Sequence, residues 1–104
     1  MVQFYIHIII YTYSIMYTIT NYSRKKAKKL GVTIKHSTNT KKKLDVFKKG
    51  KKVCSVGNLN FYDFPTFIQK KGMSFAKIRR RLYKNRHSKD RKKGCGFYAD
   101  KLLW

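Results

Sequence analysis

"LDVFKKGKKVCSV", residues 44–56, is the stretch on which the fold turns. Two apolar-containing runs flank Lys49-Gly50, and a two-residue loop there predicts a β-hairpin, because such turns need residues that tolerate positive φ. That loop pairs Phe47 with Lys52, Val46 with Val53, Asp45 with Cys54 and Leu44 with Ser55. One face then carries Leu44, Val46 and Val53. The other carries Phe47, Cys54, Val56 and Asp45, with the Asp45 carboxylate diagonal to Lys52, a contact of a few tenths of a kcal/mol. Lys48, Lys49, Lys51 and Lys52 crowd the tip, which reads equally as a solvated turn or as a finger that grips phosphate.

Upstream, "VTIK" (32–35) alternates with period two and adds one strand, with Val32 and Ile34 on a common face. "SRKKAKKLG" (23–31) reads as a short helix capped by Asn21 or Ser23 and ended by Gly31. Downstream, the aromatics Phe61, Tyr62, Phe64 and Phe67 read first as the lid of a small core and second as a base-stacking platform. Gly72 interrupts a helical pattern over 66–71, and Ser74 is placed to cap a longer helix reaching about Lys92.

On a wheel of about 100° per residue, Phe75, Ile78, Leu82 and Tyr83 share one arc, predicted to pack on the hairpin. Lys77, Arg80, Arg81, Lys84 and Arg91 share the opposite arc and are the candidate phosphate contacts, with the hairpin lysines beside them. Arg79, Arg86 and Asp90 map to the apolar side. Arg86 and Asp90 stand four residues apart and are expected to pair structurally, since an unpaired half-buried guanidinium is costly. After Gly94 and Gly96 break the helix, "FYADKLLW" (97–104) folds back so that Phe97, Tyr98, Leu102, Leu103 and Trp104 complete the core. The alternative is that this aromatic end docks on a partner.

These elements give an α+β class: a small antiparallel sheet, hairpin plus one strand, packed on a long C-terminal amphipathic helix, with a short N-terminal helix. Residues 16–104 make one small basic domain. Residues 1–15 read either as an over-extended start, with Met16 the true initiator, or as a membrane segment whose basic flank Arg24 to Lys29 stays in the cytosol; a genuine N-terminal strand is a third reading. The stretch has no basic n-region and no small-residue cleavage site of a signal peptide.

Composition narrows the function. There are 26 Lys+Arg against 4 Asp+Glu, a net charge of +22. A chain this basic repels itself, so it favours a polyanion, most commonly nucleic acid, with an acidic protein or anionic membrane surface next. The two cysteines, Cys54 and Cys95, make neither a CxxC pair nor a zinc site. Ordinary reduced thiols in a reducing compartment are expected, and no cofactor or metal is implied. With no Glu, four scattered Asp and no phosphate-binding glycine loop, acid–base chemistry has little to stand on and a non-enzyme is expected. A phosphodiester site built from Arg86, His87 and Asp90 is the one enzymatic arrangement conceivable.

"TNYSRKKAKKLGVTIK", "KKLDVFKKGKKVCSVG", "YDFPTFI", "RRRLYKNRHSKDR" and "GFYADKLLW" resemble, in order and spacing, a family of small, basic, uncharacterised proteins of large nucleocytoplasmic DNA viruses, the algal-virus type. The likeness covers most of residues 17–104 and begins near Met16. The family's ending looks like Ser-Pro-Gly-Tyr-Tyr-Ala-Asp-Lys-Leu-Leu-Trp; here Gly94 and Cys95 stand in place of Ser-Pro and Phe97 in place of the first Tyr. The resemblance implies a viral origin and a place in the host cytoplasm (viral factory) or in the virion, and it implies no activity. The expected function is nucleic-acid binding through phosphates without sequence preference. The alternative is a structural virion protein that meets an acidic protein partner or a membrane surface; a membrane partner otherwise requires residues 1–20 to be translated and inserted.

Overall fold

A computed structural model describes residues 17–104, and the readings made of residues 1–15 lie outside the described residues. The chain runs α1 (Asn21–Leu30), β1 (Thr33–His36), β2 (Lys42–Lys48), β3 (Lys51–Asn58), α2 (Phe64–Lys71), α3 (Met73–Arg86) and α4 (Gly94–Leu103). This is an α+β fold with a three-stranded antiparallel sheet in the order β1-β2-β3. Among the described residues no helix is long and apolar enough to cross a membrane.

The hairpin turn is where the sequence puts it. Lys49 and Gly50 both have positive φ, 52° and 78°, the signature of a primed turn whose twist matches that of its strands. Lys48 pairs with Lys51 and Phe47 with Lys52, but beyond them the register slips: Val46 pairs with Cys54, Asp45 with Ser55 and Leu44 with Val56. A bulge leaves Val53 as the extra residue, which corrects the expected pairing. A one-residue shift exchanges faces, so Cys54 and Val56 join Leu44 and Val46 inside, and Val53 stays 42 % exposed. Asp45 and Lys52 still meet, at 3.4 Å.

The core lies on one face of this sheet. Ile34, Leu44, Val46, Cys54 and Val56 pack with Ile19, Ala27 of α1 and Leu102 and Leu103 of α4. Burying each large aliphatic side chain stabilises the fold by about 1.5–3 kcal/mol. Thr20, rather than Asn21 or Ser23, caps α1: its Oγ1 accepts from the Ser23 N–H at 3.1 Å. Ser23 is thereby freed to donate from Oγ to the Leu102 carbonyl at 2.6 Å, deep in the interior. Gly31 ends α1 in the left-handed region, φ 71°, with Gly31 N–H bonded to the Lys28 carbonyl and Val32 N–H to the Ala27 carbonyl, the reciprocal pattern of a Schellman close.

The helix that covers the sheet is not the one expected. Residues 94–103 form α4, which packs on β3 and on α1, whereas α3 takes α2 as its main partner. The fold-back of the C-terminal segment therefore holds, as a ten-residue helix that starts at Gly94 instead of following a break there. Gly57 lets it come close: a Cβ at that position, where φ is 83°, would lie 2.7 Å from Leu103 Cδ1 and 3.0 Å from Lys43 Cδ.

Helix α3 differs from expectation in three respects. It stops at Arg86 instead of about Lys92, and residues 87–92 are turns; Asn85, His87, Ser88 and Asp90 are all poor helix formers. It begins from Gly72 with no side-chain cap, so Ser74 is not the cap. It is also rotated about a quarter turn from the hydrophobic wheel: Ala76 and Tyr83 are buried, while Phe75, Ile78 and Leu82 are 42 %, 48 % and 41 % exposed. The aromatics of α2 decide this. Arg79 lies over the Phe67 ring at 5.4 Å and Arg80 over the Phe64 ring at 4.1 Å.

Two further expectations are corrected. Arg86 does not pair with Asp90; the turn after α3 brings Asp90 Oδ2 to His87 Nδ1, at 3.1 Å. Cys54 and Cys95 are not free thiols but a disulfide, with their Cα atoms 5.5 Å apart. The bulge turns Cys54 toward α4, and Cys95 stands in the first turn of that helix.

Candidate nucleic-acid interface

The four carboxylates determine what the surface looks like. Asp45, Asp63 and Asp100 are almost fully buried, at 2 %, 1 % and 1 % exposure, and each joins separate parts of the chain. Asp45 accepts from the hydroxyls of Ser37 and Ser55, both at 2.6 Å, and from the Thr38 N–H at 3.1 Å. Burial by itself would raise its pKa, but these donors and Lys52 outweigh burial and hold it well below the usual carboxylate range. Asp63 caps α2 by accepting from the Thr66 N–H at 3.1 Å, and it also receives Lys43 Nζ at 3.1 Å and the Tyr17 hydroxyl. Burial and the neighbouring Asp63 push the Tyr17 phenol up, and burial lowers Lys43 despite the carboxylate beside it. Asp100 of α4 accepts from Lys84 of α3 at 2.8 Å.

Only Asp90 faces water, and it is engaged by His87. Three lysines, Lys43, Lys52 and Lys84, have a carboxylate partner among the described residues. The other cations of a chain carrying 26 Lys+Arg have none.

The nine predicted phosphate contacts divide accordingly. Lys48, Lys49 and Lys51 are exposed at the hairpin tip, and Lys77 and Arg81 are exposed on α3. Lys52 is partly drawn toward Asp45. Arg80 and Lys84 are half-buried in structural contacts, with Phe64 and with Asp100. Arg91 is half-buried in the turn after α3, and its Nε has no hydrogen-bond partner. The cations expected along a single helix face are thus distributed over the hairpin tip, the outer side of α3 and the following turn. Of the residues expected to be structural, Arg86 is exposed, Asp90 holds His87, and Trp104 stacks on Tyr83 with centroids 4.4 Å apart and planes 8° from parallel.

A feature not read from the sequence lies between these elements: a groove of about 640 Å³ bounded by the end of the β2–β3 hairpin, the aromatic turn, α2, α3 and α4. Its wall is a run of rings. Trp104 stacks on Tyr83, and His87 stacks on Tyr83 at 4.3 Å; burial pushes the Tyr83 hydroxyl up to about 12, helped by Asp100 and Asp90. Phe67 and Tyr62 continue the wall edge to face, at 5.5 Å. Phe61 and Tyr62, read first as core lid, are 67 % and 47 % exposed, and Phe64 alone of that group is buried. Arg79, Arg86 and Lys42 add positive charge to the same groove. The second sequence reading, a base-stacking platform of Phe61, Tyr62, Phe64 and Phe67, touches this surface through Phe61, Tyr62 and Phe67; the residues contributed by the other elements carry no local signal. Among the described residues no group of His, Cys, Asp or Glu is placed to hold a metal ion.

The chain matches no protein-family model, no curated protein and no solved structure.

Proposed function

We propose that this chain is a small basic protein that binds nucleic acid through its phosphates without sequence preference, in the virion or viral-factory setting that the resemblance suggests. One observation carries the reading. Three of the four aspartates are buried in the fold's own junctions and only Asp90 lies at the surface, so the exposed Lys48, Lys49, Lys51, Lys77 and Arg81 present charge that a single surface carboxylate does little to offset. Such cations gain by releasing the counterions condensed on a polyphosphate. They position a backbone without reading bases.

About six phosphate contacts would make log K fall with log salt at a slope of about −5. Substituting Lys77→Gln together with Arg81→Gln should flatten that slope by about 2 and weaken binding to any sequence alike. An unchanged slope would reject α3 as a phosphate contact. The structure makes Arg80 and Lys84 unsuitable for this test, because their loss also breaks packing. A second reading, a structural protein that docks on an acidic partner or a membrane surface, draws on the exposed apolar stripe of α3, Phe75, Ile78 and Leu82. Binding that survives nuclease and high salt would favour it.

A further inference from the structure

The geometry points to a more specific ligand for this protein: an unpaired nucleotide of a single strand, its base stacked in the aromatic groove and its phosphates on the arginines at the edge. This inference rests on the nucleic-acid binding proposed above and narrows it.

The groove volume of about 640 Å³ lies in the range of about 300–1,000 Å³ found for small-ligand sites. Its chemistry is the combination that single-strand binders use, flat aromatic faces for bases beside cations for the backbone. His87, Tyr83 and Trp104 already stand as a ring stack, so a base meeting either end of it extends an existing geometry. Phe61 and Tyr62 are the two most exposed aromatics of the described residues. Leaving such rings in water costs free energy that a stacked base would recover.

Arg79 supplies an independent observation. Its guanidinium lies over Phe67 and lines the groove, and its Nε is buried with no hydrogen-bond acceptor. Buried donors are nearly always satisfied, and an orphan one is destabilising. A phosphate or base oxygen in the groove would be met by the guanidinium that carries this Nε, and a small shift of that side chain would give the Nε its acceptor. Arg86 and Lys42 bring further charge to the same groove. The one side-chain carboxylate in the lining, Asp90, is hydrogen-bonded to His87 at 3.1 Å, and the lining's arginines and lysines outnumber it. A duplex cannot use this site, because its base faces are covered by their neighbours in the stack.

Trp104 is the only tryptophan in the chain, so its fluorescence reports on the groove directly. The full chain would be titrated with an oligothymidylate, an abasic strand of equal length, a duplex and heparin. The expected result is saturable quenching of Trp104 by the oligothymidylate, well beyond that caused by the other three. Substituting Phe61→Ala with Tyr62→Ala removes exposed rings from no core position; it should lower single-strand affinity about 10-fold or more and leave duplex affinity where it was. Equal quenching by the abasic strand or by heparin, or equal losses for single strand and duplex in the variant, would overturn the groove as a base site while leaving phosphate binding intact. A chain that binds no nucleic acid under any salt condition would overturn both.

Discussion

Breaking the Cys54–Cys95 bond should cost this protein a large part of its stability. The bond closes a loop across 41 residues of sequence, and constraining a loop of that size removes unfolded-state entropy worth about 4 kcal/mol. A domain of this size is stable by about 5–15 kcal/mol in total, and this one folds against the repulsion of a net charge of +22. Near the midpoint the loss corresponds to a fall in Tm of about 20 °C. Cys95 is exposed, so Cys95→Ser cuts the link without opening a cavity, unlike a substitution at the buried Cys54. The assay is urea unfolding followed by Trp104 fluorescence, for the oxidised protein, the protein in dithiothreitol and the Cys95→Ser variant, with alkylation to count free thiols. Both perturbed forms should shift together. Unfolding free energies that agree with that of the oxidised protein to within about 0.5 kcal/mol, the range of a neutral surface change, would refute the constraint. So would two alkylatable thiols in the protein before reduction.

Two other expectations follow from the site. Asp45 has a pKa held below that of an unfolded carboxylate, so it adds stability that is fully present above about pH 4 and is lost as pH falls through the lower folded value. Urea midpoints should drop steeply below pH 4, and Asp45→Asn should lower stability at neutral pH by about 2 kcal/mol while flattening the acid limb; an identical acid limb in the variant would assign it to other groups. The rotation of α3 is tested by a pair of substitutions. Ala76→Leu should overpack the interior at a fully buried position and cost about 1–3 kcal/mol, whereas Ile78→Ser should stay within about 0.5 kcal/mol. The reverse order, read by thermal unfolding, would restore the orientation that the hydrophobic wheel implied.

The parts of this fold legible in the sequence are those fixed by short-range chemistry. Lys49-Gly50 announces its turn because few residues accept two successive positive φ angles. Gly31 announces the end of α1 for the same reason, and the alternation around Ile34 announces β1. The failures begin where two elements must choose each other. The bulge at Val53 is invisible in a pattern of alternating residues, yet it determines which side of β3 Cys54 occupies, and hence that it can reach Cys95. With the register shifted by one, the two cysteines are brought to the same side of the sheet as α4. The wheel of α3 failed for a related reason: it scored arginine as polar, whereas Arg79 and Arg80 lie on aromatic rings of α2, a contact that needs the partner helix to be known.

The burial of the carboxylates ties the fold to the surface charge. Each of Asp45, Asp63 and Asp100 sits at a junction: two serine hydroxyls, a backbone N–H and a lysine converge on Asp45; a helix start, a tyrosine and a lysine on Asp63; and Lys84 alone meets Asp100, across the α3–α4 contact. A neutral side chain there would leave buried donors short of acceptors, so these acids cannot be moved outward without loss of the junctions they make. Every additional lysine or arginine therefore adds to the net charge outside, with nothing nearby to cancel it. On the nucleic-acid reading proposed above, a surface of that kind would be indifferent to sequence, since it would meet only phosphates. On the same reading, discrimination between strands would come from a place where charge and aromatic rings coincide, and among the described residues the groove lined by Trp104, Tyr83, Tyr62, Arg79 and Arg86 brings them together.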